Sequence, residues 1–299
     1  TMMNLIPTKD GGGVPRGGEV VLSTTRLKHV GQLDKSTGQV WAGAGVTLAV
    51  LQAEVAKHGL DAGLDFGARD AATLGGIAAC NAGGIRALRH GTAGRRIVGI
   101  EAVLASGDVV RFATGLAKDN AGYDLPALLI GSEGTLAVIT AVLWQTVPAS
   151  SARVAAMVPT ESAQQALELL AALRTHAPTT VESCDFLDHS SLDASLRHLG
   201  RSAPPVAPAP LYVLCECAAA NDPSGELAAA LEACGLGELA VVADDTAARR
   251  GLWELREAVP EAVSSRGVAH KIDVGVPAGA PPGVLNRRPG AVRRLGPGP

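Results

Sequence analysis

The stretch DFGARDAATLGGIAACNAGGIRALRHG, Asp65–Gly91, sets two glycine pairs, Gly75-Gly76 and Gly83-Gly84, around a short apolar segment ending at Asn81. Glycine admits positive φ and lets a ligand approach the main chain with no Cβ in the way. Successive exposed N–H groups form a concave anion site, so one reading of the stretch is a loop that receives a pyrophosphate. The competing reading is plain turn chemistry: Gly accounts for 36 of 299 residues, and paired glycines also mark turns and helix caps.

Two further motifs follow at sensible spacing. Ala117–Leu125 reads AKDNAGYDL, and Ile130–Leu136 reads IGSEGTL, leading into the strand-like Ala137-Val138-Ile139-Thr140. The combined run, ATLGGIAACNAGG, then RHG, then VVRFATGLAKDNAGYDLPALLIGSEGTLAVIT, resembles the FAD-binding domain of the flavoproteins that include vanillyl-alcohol oxidase and p-cresol methylhydroxylase. Within that family it is most similar to the D-2-hydroxy-acid dehydrogenase branch, which holds FAD-linked glycolate oxidase, D-lactate dehydrogenase and D-2-hydroxyglutarate dehydrogenase. The resemblance covers residues 11–285 in order. No GxGxxG lies between a strand and a helix, so the pattern is not a Rossmann fingerprint.

The resemblance implies an α+β fold: a partial FAD-binding domain of the p-cresol methylhydroxylase type over residues 1–148, then a partial α+β cap domain for substrate over 149–285. A disordered tail is expected over 286–299. FAD is the implied cofactor, and Thr73, Gly75, Gly76, Asn81, Ala82, Gly83, Gly84, Gly91, Gly131, Glu133, Gly134 and Ile139 are the implied cofactor-binding residues. Glu133 is expected to buttress its loop rather than do chemistry, and the polar loop with Asp119, Asn120, Tyr123 and Asp124 is expected near the flavin. His90 is read as a polar neighbour rather than a covalent flavin anchor.

Composition sets outer bounds. A chain of 299 residues holds two domains comfortably. A formal charge of −3 gives no basic footprint for nucleic acid. No apolar run reaches the roughly 18 residues of a membrane span, and the first residues, TMMNLI, do not read as a signal peptide, so a cytoplasmic location is expected. Five scattered cysteines argue against a disulfide framework, and Cys215 and Cys217 read as small core residues. Aromatic residues make up only 3%, which predicts cores built from small and branched aliphatics.

Along the chain, Gly11–Gly13 resembles the segment just after the family's first pyrophosphate loop, so the N-terminal lobe of the flavin site is expected to be missing. Strands are predicted at Glu19–Ser23, Gln39–Ala42, Arg95–Leu104 and Val109–Phe112, with a helix opening at Thr47 and ending at Gly59. After a linker at Ala149–Ala152, strands at 153–158, 179–186, 211–217, 239–243 and 268–276 alternate with helices at 161–176, 191–199, 225–234 and 246–264. That rhythm predicts helices segregated to one side of a sheet.

The helix segment LWELREAV, Leu252–Val259, and the strand HKIDV, His270–Val274, resemble the cap segments that hold the substrate carboxylate in 2-hydroxy-acid dehydrogenases. Arg256 and Lys271 are the implied substrate-binding pair, because a guanidinium takes a carboxylate through two parallel N–H···O bonds. At Pro260 the branch often carries a hydroxyl residue. The branch's HxGDGNxH-like motif is absent here, so no metal site and no catalytic residue is assigned, and His189, His198 and His270 receive core or surface roles. The implied substrate is a small 2-hydroxy acid (D-lactate, glycolate or D-2-hydroxyglutarate), and the electron acceptor is unknown. Two other readings remain: oxidation of a neutral alcohol or aldehyde, and a truncated, non-catalytic remnant.

Overall fold

The computed structural model describes residues 22–113, 115, 116, 118, 120–267 and 275. The chain divides into two compact units between Ala149 and Ser150.

In the first unit, β1 (Gln39–Gly43) is followed by Thr47, whose hydroxyl accepts the Val50 N–H and opens α1 (Leu48–Ala56). Such a cap stabilises a helix by about 1 kcal/mol. Leu48, Leu51 and Val55 bury one face of α1. Gly59, at φ +70°, closes the turn into β2 (Leu60–Asp61). Next come α2 (Leu74–Ala79), α3 (Ala87–His90), β3 (Ile97–Leu104), β4 (Val109–Phe112), α4 (Leu125–Leu129), β5 (Ala137–Gln145) and β6 (Val147–Pro148). The strand expected from Arg95 starts at Ile97, because Ala93–Arg95 is a 3-10 turn. Of the strand expected at 19–23, residues 19–21 lie outside the described residues, and Leu22 and Ser23 are irregular.

An antiparallel sheet of order β1-β5-β3-β4 spans the unit, and β2 pairs separately with β6. Its core is aliphatic, with Leu51, Leu74, Ile77, Ile100 and Ile139 all at 0–1% exposure. Trp144 within it is fully buried and donates its indole N–H to the Ala62 carbonyl at 2.8 Å. Burying each such side chain is worth about 1.5–3 kcal/mol.

The second unit runs β7 (Ala152–Thr160), α5 (Ala163–His176), β8 (Val181–Asp188), α6 (His189–Leu199), β9 (Leu211–Ala219), α7 (Ser224–Ala233), β10 (Val241–Ala243), α8 (Thr246–Glu257) and α9 (Val259–Ser264). Its antiparallel sheet has the order β10-β7-β9-β8, the arrangement of a split βαββαβ unit. Both faces of the sheet are covered. Tyr212 through Ala218 of β9 are buried without a break, and alternate residues of a strand point to opposite faces. Glu216 meets Trp253 of α8, whereas Val213, on the other face, lines a cavity with Ala166, Leu167 and Leu170 of α5. The expected one-sided cap is thus corrected: α8 lies on one side and α5 on the other. Cys215 and Cys217 are core residues at 0% exposure.

The single helix expected over 246–264 is two. It breaks at Ala258 because Pro260, near the start of α9, has no N–H for the preceding turn and its ring would crowd the carbonyl four residues back. The predicted strand at 268–276 and the tail lie outside the described residues, apart from Gly275.

Candidate functional site

The first glycine pair lies inside α2, whose six residues are all buried. Thr73 caps this helix, accepting the Gly76 N–H at 3.4 Å. The next amides are also taken by protein: Leu74 donates to the Val46 carbonyl at 2.8 Å and Gly75 to the Ala44 carbonyl at 2.9 Å. A Cβ on Gly75 would stand 2.7 Å from the Ala44 Cβ. The close approach at Gly75 is therefore between two parts of the chain, and the donors of these amides are engaged by protein acceptors. Ile139 is likewise a core side chain of β5, 1% exposed.

The other end of α2 is different. The Gly131 and Glu133 amides donate to the Ala78 and Ala79 carbonyls at 2.9 and 2.8 Å, so the second motif caps the C-terminus of the helix carried by the first. Asn81 and Glu133, at φ +47° and +50°, are the two non-glycine residues with positive φ among the described residues. Such conformations cost about 1–3 kcal/mol and cluster at functional sites. Gly131 and Gly134 beside them adopt +76° and +73°. The Asn81 side chain is committed, its Oδ1 accepting the Gly94 N–H at 2.9 Å. Between helix and loop lies Cys80, whose thiol is pushed above its ordinary pKa first by partial burial and then by the Glu133 carboxylate.

Beyond Asn81 the chain turns outward. Ala82 is held by its N–H to Ile77 and by its carbonyl, which accepts the Ala93 N–H. A Cβ on Gly84 would lie 2.0 Å from the Asp65 carbonyl oxygen, whereas one on Gly83 would meet only the Thr92 methyl at 3.7 Å. The ground beneath Gly84 is firm: Asp65 pairs with Arg69 at 3.0 Å, Arg86 with Asp61 at 2.7 Å, and Ile85 donates to the Asp65 carbonyl. Among the described residues, the successive N–H groups of Gly83 and Gly84 donate to no acceptor. Gly91 closes α3 at φ +76°.

The fold thus gathers Asn81, Ala82, Gly83, Gly84, Gly131, Glu133 and Gly134 at one end of α2, and leaves Thr73, Gly75, Gly76 and Ile139 beneath it. Cys80 belongs with the first group and was missed by sequence reasoning, although it lies between the two pairs. Elsewhere in this unit, a cavity of about 600 Å³ is lined by Arg111, Phe112, Tyr123, Asp124 and Pro126. Asp124 caps α4 there by accepting the Ala127 N–H at 3.0 Å. Asp119 lies outside the described residues.

In the second unit, Arg256 stands in the last turn of α8, and its Nε donates to Asp185 Oδ2 at 2.5 Å. Lys271 and His270 lie outside the described residues. Beneath α8 is a buried polar cluster. Arg153 Nη1 donates to Glu216 Oε1 at 2.7 Å and also contacts Glu182, and Trp253 Nε1 donates to Glu216 Oε2 at 2.7 Å. Removing one member of such a buried pair costs about 3–5 kcal/mol. Cys184, next to Asp185, is pushed up to about 12 by burial and then by that carboxylate, so its thiol stays protonated. His189 packs on Tyr212, their polar atoms 3.3 Å apart, and His198 lies 3.8 Å from Glu261.

Two family models match, an FAD binding domain over residues 8–113 and the C-terminal domain of FAD linked oxidases over 149–295. The chain is 35% identical over 272 residues to the mitochondrial D-2-hydroxyglutarate dehydrogenase of Danio rerio, covering 89% of this chain and 51% of that protein. It is 34% identical over 280 residues to the D-2-hydroxyglutarate dehydrogenase of Xanthomonas citri pv. viticola, covering 92% and 58%. The chain therefore spans about half the length of the curated relatives it matches. Among solved structures, an alkyldihydroxyacetonephosphate synthase is similar in fold, with a TM-score of 0.59 at 16% identity, over 81% of this chain and 46% of that one. Two consecutive domain matches, relatives at about a third identity and a shared fold agree, and the chain belongs to the FAD-linked oxidases.

Proposed function

We propose that this chain serves the FAD-dependent oxidation of a D-2-hydroxy acid to its 2-oxo acid. The observation that carries the reading is Arg256: its Nε is held by Asp185, while Nη1 and Nη2 have no acceptor among the described residues. A guanidinium engaged on one edge only is suited to a carboxylate on its remaining nitrogens. A neutral alcohol or aldehyde has no use for such a cation. The relatives' names, D-2-hydroxyglutarate dehydrogenase, support the same substrate class.

FAD, when bound, supplies the two-electron acceptor for the hydrogen on the substrate's C2. The residues at the C-terminal end of α2 fit such a group: the open amides of Gly83 and Gly84 offer two donors to oxygen or nitrogen acceptors, and no Cβ stands over Gly83. The Gly131–Gly134 loop gives this surface a fixed shape through its two bonds to α2. Arg256 binds and orients the acid, and none of the described residues is assigned the hydroxyl proton. The cross-strand neighbours Cys184 and Cys215, which are not joined by a disulfide, support a reducing compartment, the cytoplasm in our reading.

The test is the visible spectrum of the purified chain before and after addition of FAD, then anaerobic bleaching with D-2-hydroxyglutarate, D-lactate and glycolate. Bound flavin bleached by a D-acid, and not by propane-1,2-diol, is the expected result. Arg256→Leu should keep the flavin bands and raise the acid concentration needed for bleaching by about 100-fold, the equivalent of about 2.7 kcal/mol. A chain that takes up no FAD, or is bleached equally by the neutral diol, overturns the proposal.

A further inference from the structure

We infer that Asp185 is a positioning residue for Arg256, holding the guanidinium by its Nε edge so that the terminal nitrogens are set in place for the substrate carboxylate. The inference rests on the reading of Arg256 as the carboxylate clamp and adds what fixes that clamp. Both oxygens of Asp185 are engaged: Oδ2 accepts Arg256 Nε at 2.5 Å and Oδ1 accepts the Phe186 N–H at 3.0 Å. Asp185 itself is fixed on β8 by the ladder that pairs it with Leu214 of β9.

The helix that presents Arg256 is tied to the same sheet. Trp253 lies three residues earlier, on the same face of α8, and its indole N–H is bound to Glu216. Glu216 lies two residues beyond Leu214 on β9, so it shares a sheet face with Asp185. Anchor and clamp thus both refer to one rigid surface. Arginine carries five donors in a planar fork. Spending Nε–H on Asp185 leaves the four N–H groups of Nη1 and Nη2, which no described residue accepts from.

Stability does not explain the pair. The two side chains are 38% and 33% exposed, and ion pairs this open to water contribute little to folding. Their use is geometric. An unheld arginine must lose its rotamer freedom when the substrate binds, and fixing it beforehand removes that cost.

The opposite role would be competition, in which Asp185 occupies Arg256 and has to be displaced. The two roles predict opposite signs. Calorimetric titration of the purified chain with sodium D-2-hydroxyglutarate, with propane-1,2-diol as the neutral control, should show Asp185→Ala binding the acid about three- to tenfold more weakly. Asp185→Asn keeps an acceptor oxygen and should lose less than that, and Arg256→Leu should abolish binding.

The Nε–Hε cross-peak of Arg256 in a 15N spectrum, assigned by its loss in Arg256→Leu, gives an independent readout. It should be sharp in the unaltered chain and in Asp185→Asn, and broadened by exchange with water in Asp185→Ala. Unchanged or tighter binding in Asp185→Ala, with Arg256→Leu still abolishing it, overturns the positioning role and leaves the clamp standing. Failure of the unaltered chain to bind the acid, or full binding by Arg256→Leu, overturns clamp and positioning together. Should Asp185→Ala melt well below the unaltered chain, Asp185→Asn decides: a broadened cross-peak there overturns the proposal.

Discussion

Gly75-Gly76 and Gly83-Gly84 are the same dipeptide in one short stretch, yet the fold puts them to opposite uses. The first pair is buried in α2, its amides bound to Ala44 and Thr73. The second is at the surface with both amides open among the described residues. The contrast teaches that a missing Cβ says only that something comes close. At Gly75 and at Gly84 that something is the chain itself, and at Gly83 there is room for a ligand.

Three substitutions would break or sharpen this contrast. Gly84→Ala should be the most damaging, because its methyl would lie 2.0 Å from the Asp65 carbonyl oxygen, a backbone atom that already accepts the Ile85 N–H and belongs to a residue whose carboxylate pairs with Arg69. A loss of about 3 kcal/mol by denaturant unfolding is expected, and wild-type stability would show that the segment yields freely. Gly75→Ala should cost less, about 1–2 kcal/mol net, since overpacking against Ala44 is partly offset by the better helix propensity of alanine. Adding Ala44→Gly should restore most of the loss, and absence of rescue would place the strain elsewhere. Gly83→Ala should leave stability within about 0.5 kcal/mol while weakening FAD uptake about tenfold, equivalent to about 1.4 kcal/mol. Unchanged FAD affinity there would remove Gly83 from the cofactor surface.

Much of the element pattern was legible before the structure. The helix opening at Thr47 and the strands expected at Gln39–Ala42 and Val109–Phe112 rest on local signals, and the structure keeps them. The motif at Ile130–Leu136 was legible as a partner of the first stretch through resemblance. Its bond to the end of α2 was not, because no periodicity links residue 133 to residue 79. The split of the 246–264 helix was written in Pro260 and passed over, since an apolar helical pattern runs straight through it. Helices on both faces of the second sheet could have been read from β9, whose LYVLCECAA pattern is near-continuously apolar rather than alternating. Asp185 carried no signal at all. Its meaning depends on a register between β8 and β9 and on where α8 crosses, neither of which a string of residues displays.

The stapling of α2 at both ends has a kinetic consequence. Six residues with two glycines cannot nucleate a helix alone. Its first amides go to residues 44 and 46, and its last carbonyls go to 131 and 133, so it condenses only once those distant pieces of chain have met. The helix is then expected to form together with these long-range contacts and not ahead of them. The Leu74 and Gly75 amides have no private way to open, and their hydrogen exchange should report unfolding of the whole first unit rather than fraying of a short helix.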